Sequence, residues 1–99
     1  MTKKYQVNIT QKAQKDIEQI FYYIADDNIN NATNFILQLE NQIYSLEDFP
    51  ERNPLIPENA FFGTEYRHLI YKKYRVVYRI FEKYVFVLRV FHGAKLLEL

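Results

Sequence analysis

The sequence predicts an α+β domain of element order β-α-α-β-β-β, an antiparallel sheet packed on one face by a two-helix antiparallel hairpin. Three observations predict it. Apolar residues recur at spacings of three and four through two successive stretches, residues 13–24 and 32–46, which aligns each set along one helical face. Residues 66–92 form three runs dense in aromatic and β-branched side chains, with breaks too short for anything but hairpins. The 99 residues, 48% hydrophobic and 17% aromatic, suffice for one core and not for two, so residues 1–99 are read as a single domain.

The first strand is read from Tyr5-Gln6-Val7-Asn8-Ile9, where large apolar and polar side chains alternate. Thr10 can then cap a helix whose buried stripe is Ala13, Ile17, Ile20, Phe21 and Ile24. Asp27, Asn28, Asn30 and Asn31 interrupt the pattern with side chains that bond their own backbone, and a second stripe follows at Ala32, Phe35, Ile36, Leu39, Ile43 and Leu46. So short a turn makes the helices antiparallel. Phe49-Pro50 ends the second helix, and Pro54, Pro57 and Gly63 mark an irregular connector.

Strands are expected near 65–71, 74–81 and 84–91. Alternation in the middle one sets Tyr74, Val76, Tyr78 and Ile80 under the helices and leaves Arg75, Val77, Arg79 and Phe81 on an open face. In the last strand Tyr84, Phe86, Leu88 and Val90 form the wholly apolar set. A two-residue turn at Glu82-Lys83 would put Arg89 on the buried side, whereas a three-residue turn would place Arg75, Arg79 and Arg89 all outside. The cost of burying an unpaired guanidinium favours the three-residue turn.

Charge is distributed unevenly. The net charge is only +1, yet residues 64–95 carry +6 and residues 1–63 carry −4, which sets a basic C-terminal half beside an acidic N-terminal one. Cysteine is absent, so disulfide and thiolate chemistry are excluded. No signal-peptide pattern opens the sequence and no apolar run approaches the roughly 18 residues of a membrane span, which leads us to expect a cytoplasmic protein. Two histidines and two glycines offer neither a metal constellation nor a phosphate loop, so no cofactor is expected.

Ala13-x-x-Asp16-Ile17-x-x-Ile20-x-x-Tyr23-Ile24 resembles the first helix of the RelE/ParE superfamily, toxins of bacterial type II toxin–antitoxin pairs. Ala32-x-x-Phe35-x-x-x-Leu39-x-x-x-Ile43-x-x-Leu46-x-x-x-Pro50 resembles its second helix and stop. Arg67-x-Leu69, Tyr74-Arg75-Val76-Val77-Tyr78-Arg79 and Val87-x-x-Val90-x-His92-Gly93 resemble its closing strands. The order, spacing and total length carry the match. The resemblance implies the fold just derived and a growth-inhibiting toxin neutralised by a cognate antitoxin, of the kind that serves plasmid stabilisation. Operator DNA would be bound only through the toxin–antitoxin pair.

Two activities follow from the resemblance. ParE-like members poison DNA gyrase, and this is the favoured target here. The alternative is a RelE-like, ribosome-dependent and metal-independent messenger RNA endoribonuclease (an mRNA interferase). In that case Arg75 would contact the scissile phosphate, where a guanidinium suits the charge that grows on phosphoryl oxygens. His92 would move a proton to or from the ribose and leaving oxygens, and Lys95 would stand near a family arginine. Tyr66 and His68 occupy positions where RelE has lysines, and no counterpart of its final tyrosine precedes Leu99, which favours the gyrase branch. A third reading is an inactive homologue that serves only as the antitoxin's partner in a repressor complex. Arg67, Lys72, Lys73, Arg79 and Arg89 are expected to enrich a basic binding surface that speeds encounter with a polyanion or an acidic antitoxin tail.

Overall fold

A computed structural model of the chain describes residues 4–97. Met1, Thr2, Lys3, Glu98 and Leu99 lie outside the described residues. The elements follow the expected order: β1 (Gln6–Ile9), α1 (Gln11–Ala25), α2 (Ile29–Tyr44), a one-turn α3 (Asn59–Phe62), β2 (Arg67–Tyr71), β3 (Tyr74–Phe81) and β4 (Tyr84–His92). The four strands lie in the order β1-β4-β3-β2. The β2, β3 and β4 strands are antiparallel neighbours, whereas β1 runs parallel to β4, so the sheet is mixed at that edge. A two-helix hairpin between β1 and the later strands supplies the long crossover that a parallel pair requires.

Each helix starts where a side chain can take its first free N–H. The Thr10 hydroxyl accepts from the Ala13 N–H at 3.2 Å and donates to the Val87 carbonyl at 2.8 Å, which fixes the start of α1 to β4. Asn28 Oδ1 accepts from the Asn31 N–H at 3.0 Å, so α2 begins at Ile29 and two of the asparagines expected in the turn belong to its first turn. Ala13, Ile17 and Ile20 of α1 and Leu39 and Ile43 of α2 pack on Val76, Tyr78, Val85, Val87 and Val90. The Tyr78 hydroxyl, deep in this layer, donates to the Pro50 carbonyl at 2.5 Å and accepts from Asn53 at 3.0 Å, which holds the connector against the sheet.

The last hairpin differs from its expected register. Phe81 pairs with Tyr84 across a two-residue turn in which Glu82 has φ 54°, not across a three-residue one. A bulge then shifts the strand: Tyr78 faces Val87 but Val77 faces Arg89, which leaves Leu88 as the extra residue. Val85, Val87 and Val90 therefore reach the core, while Tyr84 and Phe86 sit opposite Phe81 and Arg79 on the other face. Arg89 is not on an open face. Beyond Val87 no β1 residue pairs with β4, and Asp16 of α1 takes that place. Its carboxylate accepts from Arg89 Nε at 2.8 Å, from Nη2 at 3.1 Å and from the Val90 N–H at 2.9 Å. The bulge returns Arg89 to the side of Val77, the side that the three-residue turn would have given it, and Asp16 at the edge of β4 pairs the guanidinium there.

The outer face of the sheet is also not bare. Ile56 from the connector and Leu97 from the chain's last described residues close over Val77, with Tyr66 and Phe91 packed around them as a second, smaller core. This cover decides what Arg75 can do.

Candidate functional site

Arg75 projects from β3 into the second core and is buried, its side chain 7% exposed. Its guanidinium meets the Glu58 carboxylate in a two-pronged pair, Nη1 to Oε2 at 2.8 Å and Nη2 to Oε1 at 2.9 Å. Nε donates to His68 Nδ1 at 3.1 Å, and Nη1 also donates to the Lys95 carbonyl at 3.2 Å. The guanidinium carbon lies 5.1 Å from the centre of the Phe91 ring. Four of the five N–H groups of this arginine are therefore taken by protein atoms.

Glu58 is held as firmly from the other side. Its Oε2 accepts from the Leu97 N–H at 3.0 Å, so one carboxylate joins the connector, β3 and the C-terminal residues. The bonds from Arg75 and from Leu97 outweigh burial and bring its carboxyl down to about 2. His68 accepts Arg75's N–H through Nδ1, which requires the neutral imidazole. Burial and the adjacent guanidinium both lower its proton affinity below the usual histidine range.

His92 and Arg75 leave the sheet on opposite sides. Tyr74 pairs with His92 and Arg75 with Phe91, and adjacent strand positions alternate faces. The His92 ring packs edge-on to Tyr74, centres 5.9 Å apart, and lines an open cleft with Ile20, Tyr23 and Tyr74 on the helical side. Its Nδ1 accepts from the Ala94 N–H at 3.1 Å, and its carbonyl accepts from the Lys95 N–H at 3.0 Å, which makes a tight turn after β4. The Lys95 side chain is exposed and lines the same cleft; only its carbonyl reaches Arg75. Of the three residues considered for catalysis, His92 and Lys95 thus line one cleft, and Arg75 lies on the other side of the sheet.

The five residues expected to form a basic surface divide as well. Arg67 donates to the Glu51 and Asn53 carbonyls at 3.1 and 2.6 Å and ties down the connector, and Arg89 is paired with Asp16. Lys72 and Lys73 stand exposed in the β2–β3 turn, and Arg79 is exposed near the other end of β3. Glu58 is the site residue that the sequence reading missed. It lies in the irregular connector, where no periodicity marks a side chain as inward, and only the knowledge that Arg75 is covered would call for a carboxylate there.

Among the described residues, no cluster of three or more histidine, aspartate or glutamate side chains is placed to hold a metal ion, and no helix is long and apolar enough to cross a membrane. The family described as "ParE toxin of type II toxin-antitoxin system, parDE" matches residues 7–97, nearly the whole chain. The chain belongs to this ParE toxin family. Solved structures agree in fold. A chain of the chromosomal ParDE system from P. aeruginosa superposes with a TM-score of 0.72 at 16% identity, covering 92% of this chain and 98% of that one. A chain of the RelBE2 toxin–antitoxin complex from Mycobacterium tuberculosis superposes at 0.68 with 19% identity, covering 90% and 98%. A sequence search among curated proteins gives no match. The buried Arg75–Glu58 pair is therefore a feature of a ParE-family toxin, on a scaffold similar in fold to both a ParDE and a RelBE protein.

Proposed function

We propose that this ParE-family toxin arrests growth by binding DNA gyrase, that a cognate antitoxin neutralises it, and that the pair represses its own operon. The observation that carries the choice of target is the state of Arg75. A nuclease needs a strand arginine with donors free for the scissile phosphate, placed beside a proton-transfer group. Here the guanidinium is engaged by Glu58, His68 and the Lys95 carbonyl, and His92 leaves the opposite face of the sheet. Freeing Arg75 would leave two buried charges unpaired, a cost of about 3–5 kcal/mol on the usual scale for a broken buried pair. The arrangement supports a protein that acts by binding.

Purified toxin added to gyrase and supercoiled DNA is expected to trap cleaved complexes. Controlled expression without antitoxin is expected to stop DNA replication before translation. Transcripts cut only in the presence of ribosomes, with gyrase unaffected, would overturn the proposal in favour of the nuclease. Harmless expression would leave the role of an antitoxin partner in a repressor complex.

A further inference from the structure

The connector and residues 93–97 cover only one half of the outer sheet face. At the β3–β4 turn the other half is open, and on its β2 side Arg79 borders a cleft lined by Glu51, Leu55 and Glu65 of the connector. Phe81 and Tyr84 face one another there, as do Arg79 and Phe86, with Gln6 and Asn8 of β1 in register beside Tyr84 and Phe86. Phe81 is 51% exposed. The Arg79 guanidinium lies 5.4 Å from the centre of each of the Phe81 and Phe86 rings, and Tyr84 stacks on Phe86 at 6.0 Å. Arg79 has no ion-pair partner among the described residues, unlike Arg75 and Arg89. Glu82 and Lys83 both stand exposed in the adjoining turn.

We propose that this open half-face is the surface on which the toxin docks its target protein, with Arg79 anchoring a carboxylate-bearing segment of that protein. The inference rests on the preceding reading that the target is a protein. Aromatic residues and arginine are the side chains that dominate binding energy at protein interfaces. The planar Arg79 fork rests against two rings, and its planarity lessens the freedom lost per hydrogen bond when it meets a carboxylate. Among the exposed charges at this end of the hairpin, Arg79 and Lys83 outnumber Glu82, which favours an acidic segment. A single strand of nucleic acid would need cations spaced along its backbone. The remaining exposed cations of the hairpins, Lys72 and Lys73, lie past the far end of β3, roughly 20 Å away at the rise of a strand. Arg75, between them, is held by Glu58.

The test uses Arg79→Glu, Phe81→Ala and Arg79→Lys, with Lys15→Glu on the exposed side of α1 as control, each checked for an unchanged melt by circular dichroism. Trapping of cleaved gyrase–DNA complexes is titrated, and growth arrest is scored in parallel. Arg79→Glu and Phe81→Ala are expected to raise the toxin concentration for half-maximal trapping about thirtyfold, the size of one interface hot spot. Arg79→Lys is expected to lose less, and Lys15→Glu nothing. Wild-type potency in Arg79→Glu overturns the proposal. Should wild-type toxin arrest growth but leave gyrase untouched, the gyrase reading fails by itself. Loss of arrest in Arg79→Glu then still supports the surface, and retained arrest refutes it. A wild type harmless in both assays overturns both. Binding of a labelled single-stranded oligonucleotide that Arg79→Glu abolishes would assign the face to nucleic acid and overturn the protein assignment.

Discussion

Replacing Glu58 by glutamine should destabilise the toxin severely, by an amount the pair's own geometry sets. The substitution keeps the shape but removes the charge that faces Arg75 at 2.8 and 2.9 Å, in a place where both side chains are under 8% exposed. The Glu58 carboxyl is lowered from 4.5 to about 2 in the folded chain. At 1.36 kcal/mol per pKa unit that shift corresponds to about 3 kcal/mol, the lower end of what breaking a buried pair costs. In a domain of this size the loss lowers the melting temperature by roughly 12–24 °C. Because the folded value is depressed, this stabilisation is fully present above pH 4.5 and disappears as the pH falls towards 2. Glu58→Gln has no such titration. Thermal melts of wild type and Glu58→Gln should therefore lie far apart at pH 7 and converge between pH 4.5 and 2. A gap of less than about 1 kcal/mol at pH 7, or one that stays constant down to pH 2.5, would refute the reasoning. The double variant Glu58→Leu with Arg75→Met should recover most of the loss, since Ile56, Val77 and Leu97 already make the surroundings apolar.

Three further outcomes follow from the same structure. Asp16→Asn turns an amide N–H₂ towards donors on Arg89 and Val90, and should cost about 2 kcal/mol in urea unfolding while leaving secondary structure intact. Thr10→Ala removes both the cap on α1 and the tie to Val87, and is expected to lower unfolding free energy by about 1–2 kcal/mol in the same assay. Leu39→Ala opens a void beneath a wholly buried side chain and should cost about 2–5 kcal/mol, with the urea midpoint falling at an unchanged slope.

Periodicity made most of this fold legible. The stripes of α1 and α2 and the Tyr74, Val76, Tyr78 and Ile80 alternation of β3 are local patterns, and local sequence carries them. What failed was the phase of β4. Its buried set is Val85, Val87 and Val90, which keeps no single period because Leu88 is bulged out. Nothing in Val-Phe-Val-Leu-Arg-Val marks where a bulge falls, since every neighbour is apolar or can be paired. Charge misled in a related way. The basic C-terminal half suggests a basic surface, but Glu58 and Asp16 from the acidic N-terminal half neutralise Arg75 and Arg89 within the fold. The asymmetry along the chain is partly a record of pairs that meet across it.

That pairing governs how any loss of toxicity at Arg75 is to be interpreted. Arg75→Ala leaves Glu58 buried and unpaired, so an inactive variant would report the broken fold as readily as a missing catalyst. The double variant Glu58→Leu with Arg75→Met separates the two, because it removes the guanidinium without stranding a charge. If Arg75 held a scissile phosphate, that variant would fold and be harmless. If the arginine only ties β3 to the connector and to the residues beside Leu97, the variant would fold and still arrest growth. An arginine at this position of the fold is evidence of phosphate chemistry only where its donors are open, and here the carboxylate from the connector has closed them.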